Sequence, residues 1–305
     1  MHRAFLLLLA AVAAASLPAS AQGILRSERS SPGDLEVGGE LKGLPAGATR
    51  YVRYDDLLRL PQESYTVSDD SNFRGKTQIA GVSLTTLAGL LGKRAGGGAD
   101  GAANDPGAND PMGGLMMVAI CYDKYRTNYP REYLAVHHPL LVLRIDGQLR
   151  DHWPRSENGG PLGPYLISHP FFKPAFKVLS HEDEPQIPFG VTRIELRRES
   201  VVFGAIRPPG EWPADSAVAK GYAIARQDCF RCHNMGAEGG TMAGRSWLRL
   251  GESAQRDGKR FRQTIHDPAS VTPGAKMPAH GDYDDATLDA LTAYFRTFSA
   301  AGGKR

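Results

Sequence analysis

The spacing of apolar positions changes twice along this chain. At the amino end the run is continuous: Ala4 to Ala15 carries no charge, follows the short basic Met1–Arg3, and leads into Ala19-Ser20-Ala21. That order predicts a signal peptide cleaved before Gln22, because the run stops well short of the ~20 residues that cross hydrocarbon. From Tyr51 to about Arg207 the runs are short and broken by turn residues: Val82–Leu91, Leu115–Cys121, Leu140–Ile145, Val178–Leu179 and Val191–Leu196. Leu140–Leu143 and Val191–Leu196 have the composition or alternation of strands, so this stretch predicts a mixed α+β domain. Beyond Pro208–Pro213 the spacing turns helical. Asp215 and Ser216 can cap a helix with Val218, Tyr222 and Ala225 inward, and a last helix opens near Asp284 and Asp285 with Leu288, Leu291, Phe295 and Phe298 on one face.

The expected organisation is therefore a signal peptide (1–21), a loosely ordered Gly/Ser-rich leader (22–50), an α+β domain (51–207), a proline-rich linker (208–213) and an all-α domain (214–305). Gly96–Gly114, all Gly, Ala, Asn, Asp and Pro apart from Met112, reads as a surface insertion whose deletion costs little. Charge adds little: 36 Lys and Arg stand against 33 Asp and Glu, a balance that carries no sign of nucleic-acid binding. No later stretch is long and apolar enough to span a membrane, so export to the periplasm without a stable anchor is expected.

Three cysteines make no disulfide framework. Two of them fall in Cys229-Phe230-Arg231-Cys232-His233, a C-x-x-C-H motif. On one turn the two sulfurs can form thioethers with haem vinyl groups while the adjacent imidazole meets the iron. A thioredoxin-like reading needs a βαβ setting, and a zinc site needs further paired ligands; neither is present. The sixth iron ligand is expected to be Met277, in Pro273-Gly274-Ala275-Lys276-Met277-Pro278, because a thioether favours Fe(II) and the loop residues hold it extended. His266 and His280 are the rival ligands, whereas Met235 and Met242 read as packing or surface residues.

From Ala214 to about Ser299 the chain resembles the mono-haem class I cytochrome c family. The likeness rests on Gly221-Tyr222 in a helix before the motif, the Met-Pro loop, and Ala293-Tyr294-Phe295 in the last helix. It implies one covalent haem c, electron transfer at an exposed haem edge, and Gly221 packed against Tyr294 or Phe295. Nine Lys or Arg against five Asp or Glu between Arg226 and Lys276 suggest an acidic redox partner.

The first domain, from about Val52 to Leu196, is similar to the molybdopterin-binding domain of sulfite-oxidase-type enzymes. The landmarks are Gly81–Leu91, Ala119–Tyr125, Ile145-Asp146-Gly147 and Gly159-Gly160-Pro161-Leu162. That family ligates molybdenum through a cysteine before the Gly-Val-x-Leu segment, but Tyr65–Gly75 contains none. The expectation is a scaffold that has lost its molybdenum ligand, with molybdopterin absent. Cys121 ends an apolar run and reads as a buried small hydrophobe; His137 and His138, if in a strand, point to opposite faces. Tyr122, Tyr125, Arg126, Tyr129, Arg131 and Tyr133 read as a covered turn or the lining of a pocket. The whole reads as a periplasmic electron carrier rather than a catalyst; the alternative is a sulfite-dehydrogenase-like oxidoreductase of two domains that passes substrate electrons to its own haem.

Overall fold

The computed structural model describes residues 21–92, 114–156 and 159–299. The expected signal peptide and nearly all of the Gly96–Gly114 insertion lie outside them. The first half carries α1 (Ala21–Ile24), β1 (Leu35–Gly39), β2 (Arg50–Val52), α2 (Tyr54–Leu58), β3 (Glu63–Val67), β4 (Thr77–Ser83), α3 (Leu84–Leu91), β5 (Leu115–Cys121), β6 (Arg126–Tyr129) and α4 (Arg131–His137). It continues with β7 (Leu140–Ile145), β8 (Gln148–Leu149), β9 (Tyr165–Ser168), β10 (Lys177–Val178), β11 (His181–Glu182), β12 (Phe189–Arg198) and α5 (Glu199–Gly204). After residues 205–216, which form neither helix nor strand, come α6 (Ala217–Gln227), β13 (Asn234–Met235), β14 (Glu238–Gly239), α7 (Trp247–Arg256), α8 (Gly258–His266), α9 (Pro268–Val271) and α10 (Asp285–Arg296).

The chain is thus sheet-rich first and helical second, as its pattern of spacing implies. The main path of the large sheet runs β2-β1-β12-β9-β7-β4-β3, with β5 also pairing β12 and β6 pairing β5. The segment read as a loose leader departs from expectation. Leu35-Glu36-Val37-Gly38-Gly39 is a strand parallel to β12, with Val37 opposite Ile194, and Leu35 and Val37 are buried. The run Val82–Leu91 is also two elements: β4 ends at Ser83, whose hydroxyl accepts from Thr86 N at 3.1 Å and so starts α3.

β5 joins the two halves. Its alternation sends Leu115, Met117, Ala119 and Cys121 into the core under α2 and α3, while Met116 and Val118 enter a second core. A strand apolar on both faces is buried on both faces. The second core also holds Val202, Phe203 and Ile206 together with Ile224, Phe230, Trp247, Leu291 and Phe295, so the helical half packs directly on the back of the sheet. Tyr294 Oη donates to Ile206 O at 2.6 Å across the same seam.

Beside this apolar contact lies a buried ion pair. Arg126 on β6 donates to Glu238 on β14 at 2.8 Å, and Glu238 is also held by Arg197 of β12. Arg126 and Glu238 are both buried, and removing one partner of such a pair costs about 3 kcal/mol because the other charge is left unpaired. Glu238→Gln is therefore expected to lower the urea-unfolding free energy by about 3 kcal/mol, with Arg126→Met in the same chain restoring much of it. A loss under about 1 kcal/mol, the range of an exposed pair, would show that the pair does not hold the seam.

His169 makes the first half sensitive to acid. It is buried, its Nε2 lies 3.2 Å from Tyr133 Oη, and that oxygen already accepts from Gln186 N at 2.8 Å. The tyrosine hydrogen is thus free to donate to a neutral imidazole. Burial, helped by the neighbouring His137, lowers the His169 pKa to about 4. Below about 6.5 the unfolded chain binds a proton here that the folded chain refuses. Stability contributed by neutral His169 is therefore present above pH 6.5 and lost as the pH falls towards 4, by about 3 kcal/mol at most. A urea series across that window should show the slope, and His169→Gln should flatten it; equal slopes in the two proteins would exclude His169 as its source.

Candidate haem site

Helix α6 delivers the motif. Ser216 Oγ accepts from Ala219 N at 3.2 Å and caps it, and Gly221 lets it lie close against α10: a Cβ there would sit 2.1 Å from Ala290 O and 2.7 Å from Tyr294 Cβ. Tyr294 is thus the aromatic that crosses the glycine. After Gln227 the helix tightens into one 3-10 turn, Cys229–Arg231, closed by Cys232 N and His233 N, which both donate to Cys229 O at 3.3 and 3.0 Å. That turn carries both thiols and the imidazole. Phe230 anchors it from within, wholly buried and edge-on to Trp247 at 5.3 Å.

Both thiols are free and half-buried. Burial, reinforced by Asp228, pushes the Cys229 thiol well up, and burial pushes Cys232 up to about 11. Dithiol oxidoreductases need the opposite, an acidified cysteine. His233 Nδ1 lies 2.8 Å from Arg245 O, so Nδ1 carries the proton and donates to the carbonyl, and Nε2 is left with a lone pair. Burial lowers the His233 pKa further towards the neutral ring. Two unpaired thiols and an imidazole with a bare Nε2 on one turn are a donor set that fits a covalently held haem.

Met277 lies in residues 272–284, which form neither helix nor strand, just after Gly274 at φ +78°. It is half-buried and packs against the same core as Cys229. The rivals are placed differently: His266 is exposed at the end of α8, and His280 stacks on Tyr283 with ring centres 4.7 Å apart. Met235 is half-buried on β13 and Met242 is exposed.

A polar network beside the turn is not visible in the sequence pattern. Arg231, inside the motif, donates from Nε to Gln227 O at 2.8 Å and pairs with Glu184 at 3.4 Å and Asp228 at 3.2 Å. Tyr283 Oη donates to Asp228 and lies 3.0 Å from His181 Nδ1, while His181 Nε2 lies 2.6 Å from Gln227 Oε1. His181 and Glu184 come from the first half, so the Cys229–His233 turn is braced from both. The only hint in the sequence is Arg231 itself, a charge one residue from a buried phenylalanine.

In the first half, Tyr65–Gly75 offers no thiol. Asp70 is buried there, accepting from Asn72 N at 2.8 Å and Ser168 Oγ at 2.5 Å, and burial raises its pKa. These residues do not supply the cysteine ligand that the sulfite-oxidase resemblance implies. Cys121 is buried on β5, where burial raises its thiol to about 12. His137 and His138 end a helix rather than lie in a strand, with His138 in the left-handed region as C-cap. Of the tyrosine and arginine cluster, Tyr122 is exposed, whereas Arg126, Tyr129 and Tyr133 are buried.

Residues 216–295 match the family model described as cytochrome C oxidase, cbb3-type, subunit III. The helical half is a cytochrome c domain, a module of electron transfer whose cofactor is haem c. Among individual proteins, the chain is 29% identical over 94 residues to cytochrome c oxidase subunit 2 of Alkalihalophilus pseudofirmus, a match covering 28% of this chain and 27% of that protein. It thus spans about a quarter of that relative's length. The sulfane dehydrogenase SoxCD from Paracoccus pantotrophus is similar in structure at a TM-score of 0.34 and 15% identity, over 57% of this chain and 40% of that one.

Proposed function

We propose that this chain is a periplasmic electron-transfer protein with one haem c, bound through Cys229 and Cys232 and ligated by His233 and Met277. The observation that carries the reading is the hydrogen bond from His233 Nδ1 to Arg245 O, which leaves Nε2 unprotonated on a turn bearing two unacidified thiols. Haem supplies a reversible one-electron Fe(III)/Fe(II) couple. The protein's own part is to hold it: Phe230 and Trp247 pin the turn, Arg245 O fixes the tautomer, and Met277, half-buried against the same core, would offer a thioether. Arg245 and Lys276, both exposed beside the two ligands, favour an acidic partner. The sheet-rich half serves as the docking and tethering module. Among the described residues no helix is long and apolar enough to cross a membrane.

The test is a redox titration of protein exported by a host that matures c-type cytochromes, with a single one-electron wave expected. Met277→Ala is expected to abolish the weak far-red band of methionine-bound ferric haem and lower the potential; its persistence would move the sixth ligand to another methionine, and its absence from the unsubstituted protein would favour His266 or His280. Stoichiometric molybdenum in the same preparation would favour the oxidoreductase reading over the carrier.

A further inference from the structure

The β10–β11 hairpin of the first half reaches across to the cytochrome domain. Ser180, at its tip, donates from N to Thr287 Oγ1 at 3.0 Å, and its Oγ accepts from Asp284 N at 2.9 Å, so the hairpin seats on the start of α10. His181 follows, buried, with Asp228 and Tyr283 at one ring nitrogen and Gln227 at the other. We infer that this hairpin is a pH-operated latch between the halves, closed by a doubly protonated His181 and opened when the ring loses one proton.

Hydrogen-bond directions fix both protons. Gln227 Nε2 donates to Asp183, a carboxylate that also accepts from Ala175 N, and this turns Gln227 Oε1 towards His181 Nε2 at 2.6 Å. An amide oxygen only accepts, so Nε2 carries hydrogen. At Nδ1 stand Tyr283 Oη at 3.0 Å and Asp228 Oδ2 at 3.3 Å. Burial and the Asp228 charge keep the phenol protonated, and its hydrogen goes to Asp228, the charged acceptor. Nδ1 thus meets two acceptors and carries the second hydrogen.

The neighbouring charges agree. Asp183, Asp228 and Glu184 stand around the ring, with Arg231 paired to the last two; His137 lies on Asp183, His280 stacks on Tyr283, and Lys177 of the hairpin pairs with Glu182 at 3.1 Å. Three carboxylates against one guanidinium favour a positive ring. Leu179, beside Ser180, is left-handed at φ +57°, a conformation leucine keeps only where its surroundings impose it, so the closed hairpin depends on these contacts. Loss of either ring hydrogen leaves a lone pair facing an acceptor. The closed state therefore binds the proton more tightly than the open one: the latch holds at low pH and opens as the pH rises, opposite in sign to His169. The shared apolar core of Met116, Val118 and Phe230 does not titrate, so the opening is local. The inference rests on side chains at the seam and not on the haem reading.

The test follows the full, chemically reduced chain between about pH 5 and 9, the range in which histidine titrates. Nitrogen-15 NMR reads the His181 ring, and hydrogen exchange reads the protection of the Ser180 and Asp284 amides relative to the unfolded chain. Hydrogen on both ring nitrogens at the acid end, and protection falling at least tenfold at the pH where the ring loses one, are expected. His181→Gln should make that protection independent of pH, and Tyr283→Phe, which removes one acceptor at Nδ1, should move the opening to lower pH. Circular dichroism reports whether each variant is folded; if His181→Gln is not, Tyr283→Phe and the wild-type coupling decide. Protection indifferent to the His181 titration, a pH step that survives in folded His181→Gln, or an opening pH unmoved in folded Tyr283→Phe would overturn the latch.

Discussion

With Cys229 and Cys232 both replaced by serine, the purified protein is expected to carry no covalently bound haem. The two thiols hang from the single turn that also carries His233, and the turn is fixed by backbone hydrogen bonds and by Phe230 rather than by either sulfur. The double variant therefore keeps the geometry and loses only the bond-forming atoms. Haem attached by thioethers stays with the protein through acid and acetone extraction; in the variant all colour should leave with the solvent. A variant that retains its haem through that extraction would place the attachment elsewhere in the chain.

The second large effect concerns the crossing of α6 and α10. Gly221→Ala improves intrinsic helix propensity by about 1 kcal/mol, but the added methyl would lie 2.1 Å from a backbone oxygen that cannot move without its helix. Overpacking of this kind costs about 3 kcal/mol, so steric conflict wins by about 2 kcal/mol. The thermal midpoint and haem content should fall together, because α6 leads straight into the turn that carries Cys229, Cys232 and His233. Gly89→Ala is the control. A Cβ at Gly89, in α3, meets nothing within 4 Å, so that change should stabilise by up to about 1 kcal/mol. Two glycine replacements with the same sign would refute the steric account.

Much of the cytochrome half was legible because its signals are local. Ser216 and Asp284 cap the helices that their positions announce, with Thr287 N donating to Asp284 at 2.8 Å, and the motif needs only one turn to assemble its donors. Strands β7 and β12 were legible for the same reason. What stayed hidden depends on partners far along the chain. β1 is a glycine-containing segment that becomes a strand only beside β12, and Arg126 pairs with Glu238 across 112 residues. The run Leu115–Cys121 showed burial but not that its two faces serve different cores. His137 and His138 fell at the end of a helix because α4 follows Pro130, which supplies its extended N-cap, and the turn into β7 needs the left-handed His138.

The central claim is that one haem is covalently bound at Cys229 and Cys232. Intact mass of the wild-type protein, exported by a host able to mature c-type cytochromes, tests it most directly, followed by peptide mapping across residues 226–245. The account predicts a mass raised by one haem, with the increment on the peptide holding both cysteines. A chain of unmodified mass, with both thiols open to alkylation, would contradict it.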